Sequence, residues 1–289
     1  MEKFYDLRND AVFKMVFGKP GNEKILRSLL NSLLRYEGDD QIIRVELLNP
    51  CNLAEFKDGK VSYLDIKAKD RRDRHYNVEI QVKVPENWPR RALYYASRLY
   101  TSQLKKGHDY EELRRTMSIS ILDSNLFGQE KGLHNVYKFR NNEDFTVLDD
   151  ELIEMHFIEL EKFDKTKPRQ LLTRFEKWLH VLRFGERYGN RDIILDEALG
   201  SEEEIKRAIE EMCNVNEDEQ ARQLIEAREK WRLDYNSEIS AAKRAVRLDV
   251  ARQMLSKKYD DAEIAEVTGL SLEQVKELRR EASDPEELG

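Results

Sequence analysis

Cysteine is almost absent from the chain: two in 289 residues, Cys51 and Cys213, far apart in sequence. That excludes a disulfide framework or a cysteine-rich metal site, and it implies a reducing, cytoplasmic setting. Histidine is scarce too, with five. His75, His108, His134 and His156 stand apart from one another and from other ligand types, so each reads as structural. Neither a Ser-His-Asp nor a Cys-His set is apparent, nor a glycine-rich phosphate loop. No apolar run approaches the length that spans a bilayer, and no signal-peptide pattern opens the chain. No membrane is therefore expected. With only 12 Gly and 6 Pro, 9% aromatic and 37% charged residues, the composition favours a mixed fold with helices on its surface. The length gives room for a sizeable core and a second domain.

The net charge of −7 argues against nucleic acid as a partner, but the total hides an asymmetry. Residues 1–120 carry 23 Lys and Arg against 18 Asp and Glu, a net +5. The remainder carries 27 against 39, a net −12. The basic excess thus falls on the first half, where it suits phosphates.

That half contains the stretch the chain is organised around, residues 64–84, LDIKAKDRRDRHYNVEIQVKV. It reads as two strands joined by a polar turn. Residues two apart on a strand share a face. Val78, Ile80, Val82 and Val84 form one face of the second strand, and Glu79, Gln81 and Lys83 the other. On the first strand Leu64, Ile66 and Ala68 alternate with Tyr63, Asp65 and Lys67. If the apolar faces pair, Asp65, Glu79 and Gln81 share the opposite face. Two carboxylates and an amide oxygen suit a hard cation such as Mg2+, and such an ion activates water and stabilises phosphate. Alone, the pattern equally fits an ordinary hairpin with a solvated polar face.

The Asp65 strand, the turn and Glu79-Ile80-Gln81 resemble the PD-(D/E)xK nuclease superfamily, and in particular its branch of recombination-promoting nucleases (Rpn) and PD-(D/E)xK-family transposases. Four further stretches fit: Asn9-Asp10 before Phe13-Lys14 and Phe17-Gly18; residues 90–110, RRALYYASRLYTSQLKKGHDY; residues 118–123, SISILD; and residues 155–163, MHFIELEKF. The resemblance covers about residues 5–165 and, more weakly, the C-terminus. It implies a restriction-endonuclease-like core that cuts DNA with Mg2+, or with Mn2+ or Ca2+, held by Asp65, Glu79 and Gln81. An acidic residue from an early helix often helps, which makes Asp10 a further ligand candidate. The superfamily motif ends in Lys where this chain has Gln81, as the Rpn branch generally does. The lysine orients water or steadies charge, and Lys67 or Lys83 is placed to substitute. Arg91, with Arg90 beside it, is a candidate phosphate contact. Gln103 matches the family pattern and is a candidate for contacting DNA or water.

Along the chain, a first helix covers 6–17, with Phe13 and Phe17 in the core and Asp10 and Lys14 spaced to pair. Asn22 is placed to cap a helix to about 34, and 42–48 reads as a strand. Asp58-Gly59 signals a tight turn. Pro89 opens a helix that Gly107 ends. Strands follow at 117–122, 134–139 and 152–160. Beyond 168 the chain is helical: an amphipathic 171–184, a Ser201/Glu204 capping box before a helix to about 213, and a charged pattern from 217 towards 259. Residues 261–267, the Thr268-Gly269-Leu270 turn and a helix capped by Ser271 resemble a helix-turn-helix. Glu273, Glu277 and Glu281 on that last helix favour packing over base reading.

The reading is an α/β (α+β) chain: a mixed sheet flanked by helices at 1–165, a helical connector at 166–214, and an all-helical tail at 215–289. The expected function is a metal-dependent DNA endonuclease, linked by family to recombination, mobile elements or defence, with homo-oligomers forming through the tail. The alternative is a dormant DNA-binding or oligomeric regulatory protein.

Overall fold

A computed structural model describes residues 3–49, 51–52, 62–63, 65–107, 109–189, 195 and 197–283. The expected Asp58-Gly59 turn and His108 lie outside the described residues. The chain divides into two compact units, residues 1–222 and 223–289.

The first unit is built on a six-stranded mixed sheet. Its strands are β1 (Val45–Leu48), β4 (Ile66–Asp70), β5 (His75–Gln81), β6 (Thr116–Leu122), β7 (His134–Tyr137) and β8 (Ile153–Glu159), in the order β1-β4-β5-β6-β8-β7. A separate two-stranded ladder pairs β2 (Cys51–Asn52) with β3 (Ser62–Tyr63). β4 and β5 form the expected hairpin, with Ile66 opposite Val78 and Lys67 opposite Asn77. β5, β6 and β8 run parallel. Every residue of β6 is buried, as expected of a strand covered on both faces.

One face of the sheet carries Val78, Ile80, Ile119 and Ile121, all buried. α1 (Asp10–Phe17) packs on β5, and α2 (Glu23–Leu34) on β1. The other face lies under α3 (Trp88–Thr101), which touches β5, β6 and β8; Trp88 and Ala92 meet Leu122 and Phe157 there. α4 (Arg174–Phe184) and α6 (Glu203–Glu217) pack against α2, and α6 also against α1, with the short α5 (Glu197–Gly200) beside α6. The described helices of 166–214, set apart above as a connector, thus pack within this first unit.

Several expected boundaries shift for local reasons. α1 starts at Asp10 because the Asn9 side chain accepts from the Ala11 and Val12 amides. Asn22 does not cap α2: its buried amide donates to the Val16 carbonyl instead. Thr173 and Glu176 make the capping box of α4. Ser201 and Glu204 make none, since the Ser201 hydroxyl donates to the Ala198 carbonyl. α3 ends at Thr101, before Gly107, where the Thr101 and Ser102 hydroxyls turn back onto helix carbonyls.

The second unit contains most of α7 (Glu219–Ser256), together with α8 (Asp261–Thr268) and α9 (Leu272–Ser283). Ala251, Leu255, Ile264, Leu270, Val275 and Leu278 form its core. Gly269 takes φ +66 at the turn, a conformation that glycine adopts without a Cβ penalty. Ser271 caps α9 through the Gln274 amide, as the sequence indicates. Among the described residues no helix is long and apolar enough to cross a membrane.

Candidate active site

The register of the hairpin settles which side chains meet. Continuing the pairing of Ile66 with Val78 by one residue sets Asp65 opposite Glu79. Glu79 and Gln81 alternate onto the same face of β5, the face under α3. Asp65 sits just ahead of β4, and its Oδ2 accepts the Ile80 amide at 3.0 Å. The face is not solvated: Asp65 is 8% exposed and Glu79 5%, while Gln81 is half-buried.

Two carboxylates this close and this dry disturb each other. Burial raises the Asp65 carboxyl, against the pull of Lys14. Burial, and then the Asp65 charge, push the Glu79 carboxyl well above the usual range. Such shifts follow from desolvation and like charge. Glu79 Oε1 is buried with no hydrogen-bond partner, and an orphaned carboxylate oxygen of this kind calls for an ion, water or proton. The donor set therefore fits a hard divalent cation, which one or two carboxylates plus water commonly hold.

Lys14 is the group the sequence did not single out for this site. Its Nζ lies 3.0 Å from Asp65 Oδ1, with the side chain 26% exposed. The sequence offers a faint signal: Lys14 is a cation on a short helix whose residues 11, 12, 13, 16 and 17 are all buried. Asp10, one turn earlier, is near enough to raise the Asp65 carboxyl further. Among the described residues, however, no group of three or more His, Cys, Asp and Glu side chains forms a metal-ligating cluster.

The other candidates separate. Lys67 is half-buried on the Asp65 face, opposite Asn77, and burial lowers its ammonium. Lys83 lies beyond the end of β5 at Gln81 and is exposed. Arg90 and Arg91 are exposed near the start of α3. The Arg91 guanidinium lies over the Trp88 and Tyr95 rings, 5.1 and 5.8 Å from their centroids. Gln103 is committed elsewhere: Oε1 accepts the Arg114 amide, and Nε2 donates to the Arg114 carbonyl and Thr116 hydroxyl.

A family model for PD-(D/E)XK nuclease family transposases matches residues 7–242. The chain belongs to this family. No curated protein and no solved structure matches it. The family match begins ahead of α1 and ends within α7, so it takes in Lys14 as well as the hairpin. Nuclease-type chemistry is thus the family setting of the chain.

Two clusters outside the pair correct the reading of the histidines and explain the MHFIELEKF stretch. His134 and His156 are not isolated: His134 Nε2 and His156 Nδ1 are 2.9 Å apart. His156 Nε2 lies 2.9 Å from Glu154 Oε1, which joins Lys138 in the same cluster. β7 and β8 pair as neighbours, and that pairing, invisible in sequence spacing, brings them together. Glu159, fully buried, accepts the Phe127 amide and the Lys162 ammonium; Lys162 also donates to the Gly128 and Lys131 carbonyls. That pair anchors the loop after β6. A cavity of about 770 Å³ lies between α2, β7 and α4, and includes none of the candidate site residues.

Proposed function

We propose that the chain is a metal-dependent endonuclease that hydrolyses DNA phosphodiester bonds at the Asp65–Glu79 pair. The observation that carries this reading is the buried, mutually perturbed carboxylate pair, with an unpartnered Glu79 oxygen and a cation, Lys14, beside it. Asp65 and Glu79 hold the ion, Mg2+ in the first instance with Mn2+ or Ca2+ as alternatives, and Asp10 is a further candidate ligand. When bound, the metal supplies Lewis acidity and an activated water. Gln81 offers a neutral oxygen and an NH2 group, so it ligates or positions water but adds no charge. Lys14 is our first candidate for the cation the motif lacks, ahead of Lys67. Arg91, braced by its aromatic neighbours, and Arg90 are placed to meet the DNA backbone. Purified protein incubated with plasmid DNA should cut it with Mg2+ or Mn2+ and leave it intact in chelator. Cutting that chelator does not stop, or none with any divalent ion, would reject the reading.

A second reading has its own support: Lys14 already neutralises Asp65 without a metal, as in a dormant DNA-binding protein. Salt-dependent DNA binding by a protein that takes up no divalent ion would favour it.

The helical tail serves assembly in this reading. On α7, Leu224, Trp231, Tyr235 and Val246 are exposed on one side, and the Trp231 and Tyr235 rings stack with centroids 5.3 Å apart. A long helix with such a stripe favours a second helix, here that of another copy.

A further inference from the structure

A second charged site lies at the other end of the sheet. Its walls are the turn joining β4 to β5, the residues leading into β6 and β8, and Asp40. Arg72, Arg74, Arg114 and Arg115 line a cavity of about 360 Å³, together with only two acids, Asp40 and Glu151. This is the N-terminal end of the three parallel strands, whereas Glu79 and Gln81 lie towards the C-terminal end. Six residue steps of β5 separate His75 from Gln81, roughly 20 Å at about 3.3 Å each.

Three of the arginines have local acids. Arg74 is buried on Asp70 at 2.7 Å and lies over the Tyr36 ring. Arg115 donates to the Asp150 carbonyl and stands 3.7 Å from the Asp150 carboxylate and 4.0 Å from Glu154. Arg72 donates to the Asp39 carbonyl and lies 3.5 Å from Asp40. Arg114 differs. Its Nη1 donates to the Glu111 and Leu113 carbonyls, and its Nε and Nη2 meet no acceptor among the described residues. Nor does any carboxylate among them lie within ion-pair distance of it. Its backbone is held on both sides by Gln103. A guanidinium fixed at its root, with unused donors beside three more, is preorganised for a tetrahedral oxyanion.

We propose that this pocket binds a phosphate group, with Arg114 and Arg72 as its direct contacts. The site is distinct from the carboxylate pair and requires no metal. The phosphate is either a free anion or a phosphodiester of a DNA strand lying across the sheet end.

The test uses the full chain in chelator, so that cleavage plays no part. Inorganic phosphate is titrated calorimetrically into the parental protein and into Arg72→Gln/Arg114→Gln. Both side chains are exposed, so the fold should survive, and circular dichroism checks this. The parental protein should bind, and the double variant should bind at least about tenfold more weakly, the loss expected for charge-assisted hydrogen bonds. Arg114→Lys, which keeps charge but loses the fork, should fall between. No phosphate binding by the parental protein, or equal binding by the double variant, would overturn the proposal. A parallel titration with a short DNA duplex identifies the source. A salt slope reduced by about one to two in the double variant assigns the backbone, and an unchanged slope alongside lost phosphate binding assigns a free anion.

Discussion

Glu79 keeps its Oε1 buried without a hydrogen-bond partner, although the Asn77 side chain and the Asp65 amide act on the carboxylate, and it lies next to a second buried carboxylate. A fold tolerates that only at a cost, and the cost is measurable without substrate. In chelator, the raised Glu79 carboxyl binds a proton that the unfolded chain has already released above about pH 4.5. Stability contributed by this group is therefore lost as pH rises. Glu79→Gln should hold its Tm better than the parental protein between pH 5 and 8, by thermal scanning; parallel curves would contradict the perturbed pair. Lys14→Met should lower stability by roughly 1–2 kcal/mol, below the range for fully buried pairs, since Lys14 retains 26% exposure. Single-turnover cutting should fall about 10²-fold, the loss of one charge-stabilising donor; parental rates would return the role to Lys67 or to the metal. Asp65, Glu79 and Gln81 were legible because period-2 alternation places them without knowledge of the rest of the fold. Lys14 was not, because 51 positions separate it from Asp65 and helix packing alone brings them together.

At the scale of elements, β6 and β8 announce themselves by apolar content, and both appear within a residue or two of the expected ends. Strand order was not readable: nothing local says that β8 lies between β6 and β7. That order creates the His134–His156–Glu154 cluster. Burial, then His156, lowers His134 to about 4. Burial works against ionised Glu154, but contacts with His156 and Lys138 outweigh it and hold the carboxyl at about 2. Between pH 6.5 and about 4 the unfolded chain takes up a proton that folded His134 refuses; from about 4.5 to 2 the same holds for Glu154. Both make stability fall with acid. The His134 contribution is read as the difference between two curves, because Glu79 works the other way: His134→Phe should lose less stability than the parental protein between pH 6.5 and about 4. An unchanged slope would assign the acid sensitivity elsewhere.

At the scale of the whole molecule, the compact boundary falls at residue 222. Asn216 explains why an earlier cut would harm: its amide pairs with both the amide and the carbonyl of Tyr5. A chain ending at Arg222 should keep metal-dependent cutting while its sedimentation mass falls to that of a single copy. An unchanged mass with all cutting lost would reverse that division. The claim on which the account turns is that the Asp65–Glu79 pair holds the ion that cuts DNA. Its most direct test measures Mg2+ binding by calorimetry and plasmid cleavage together, for the parental protein, Asp65→Ala and Glu79→Gln. Both variants should fold and lose metal uptake and cleavage together. A well-folded variant that still cuts at the parental rate would contradict it.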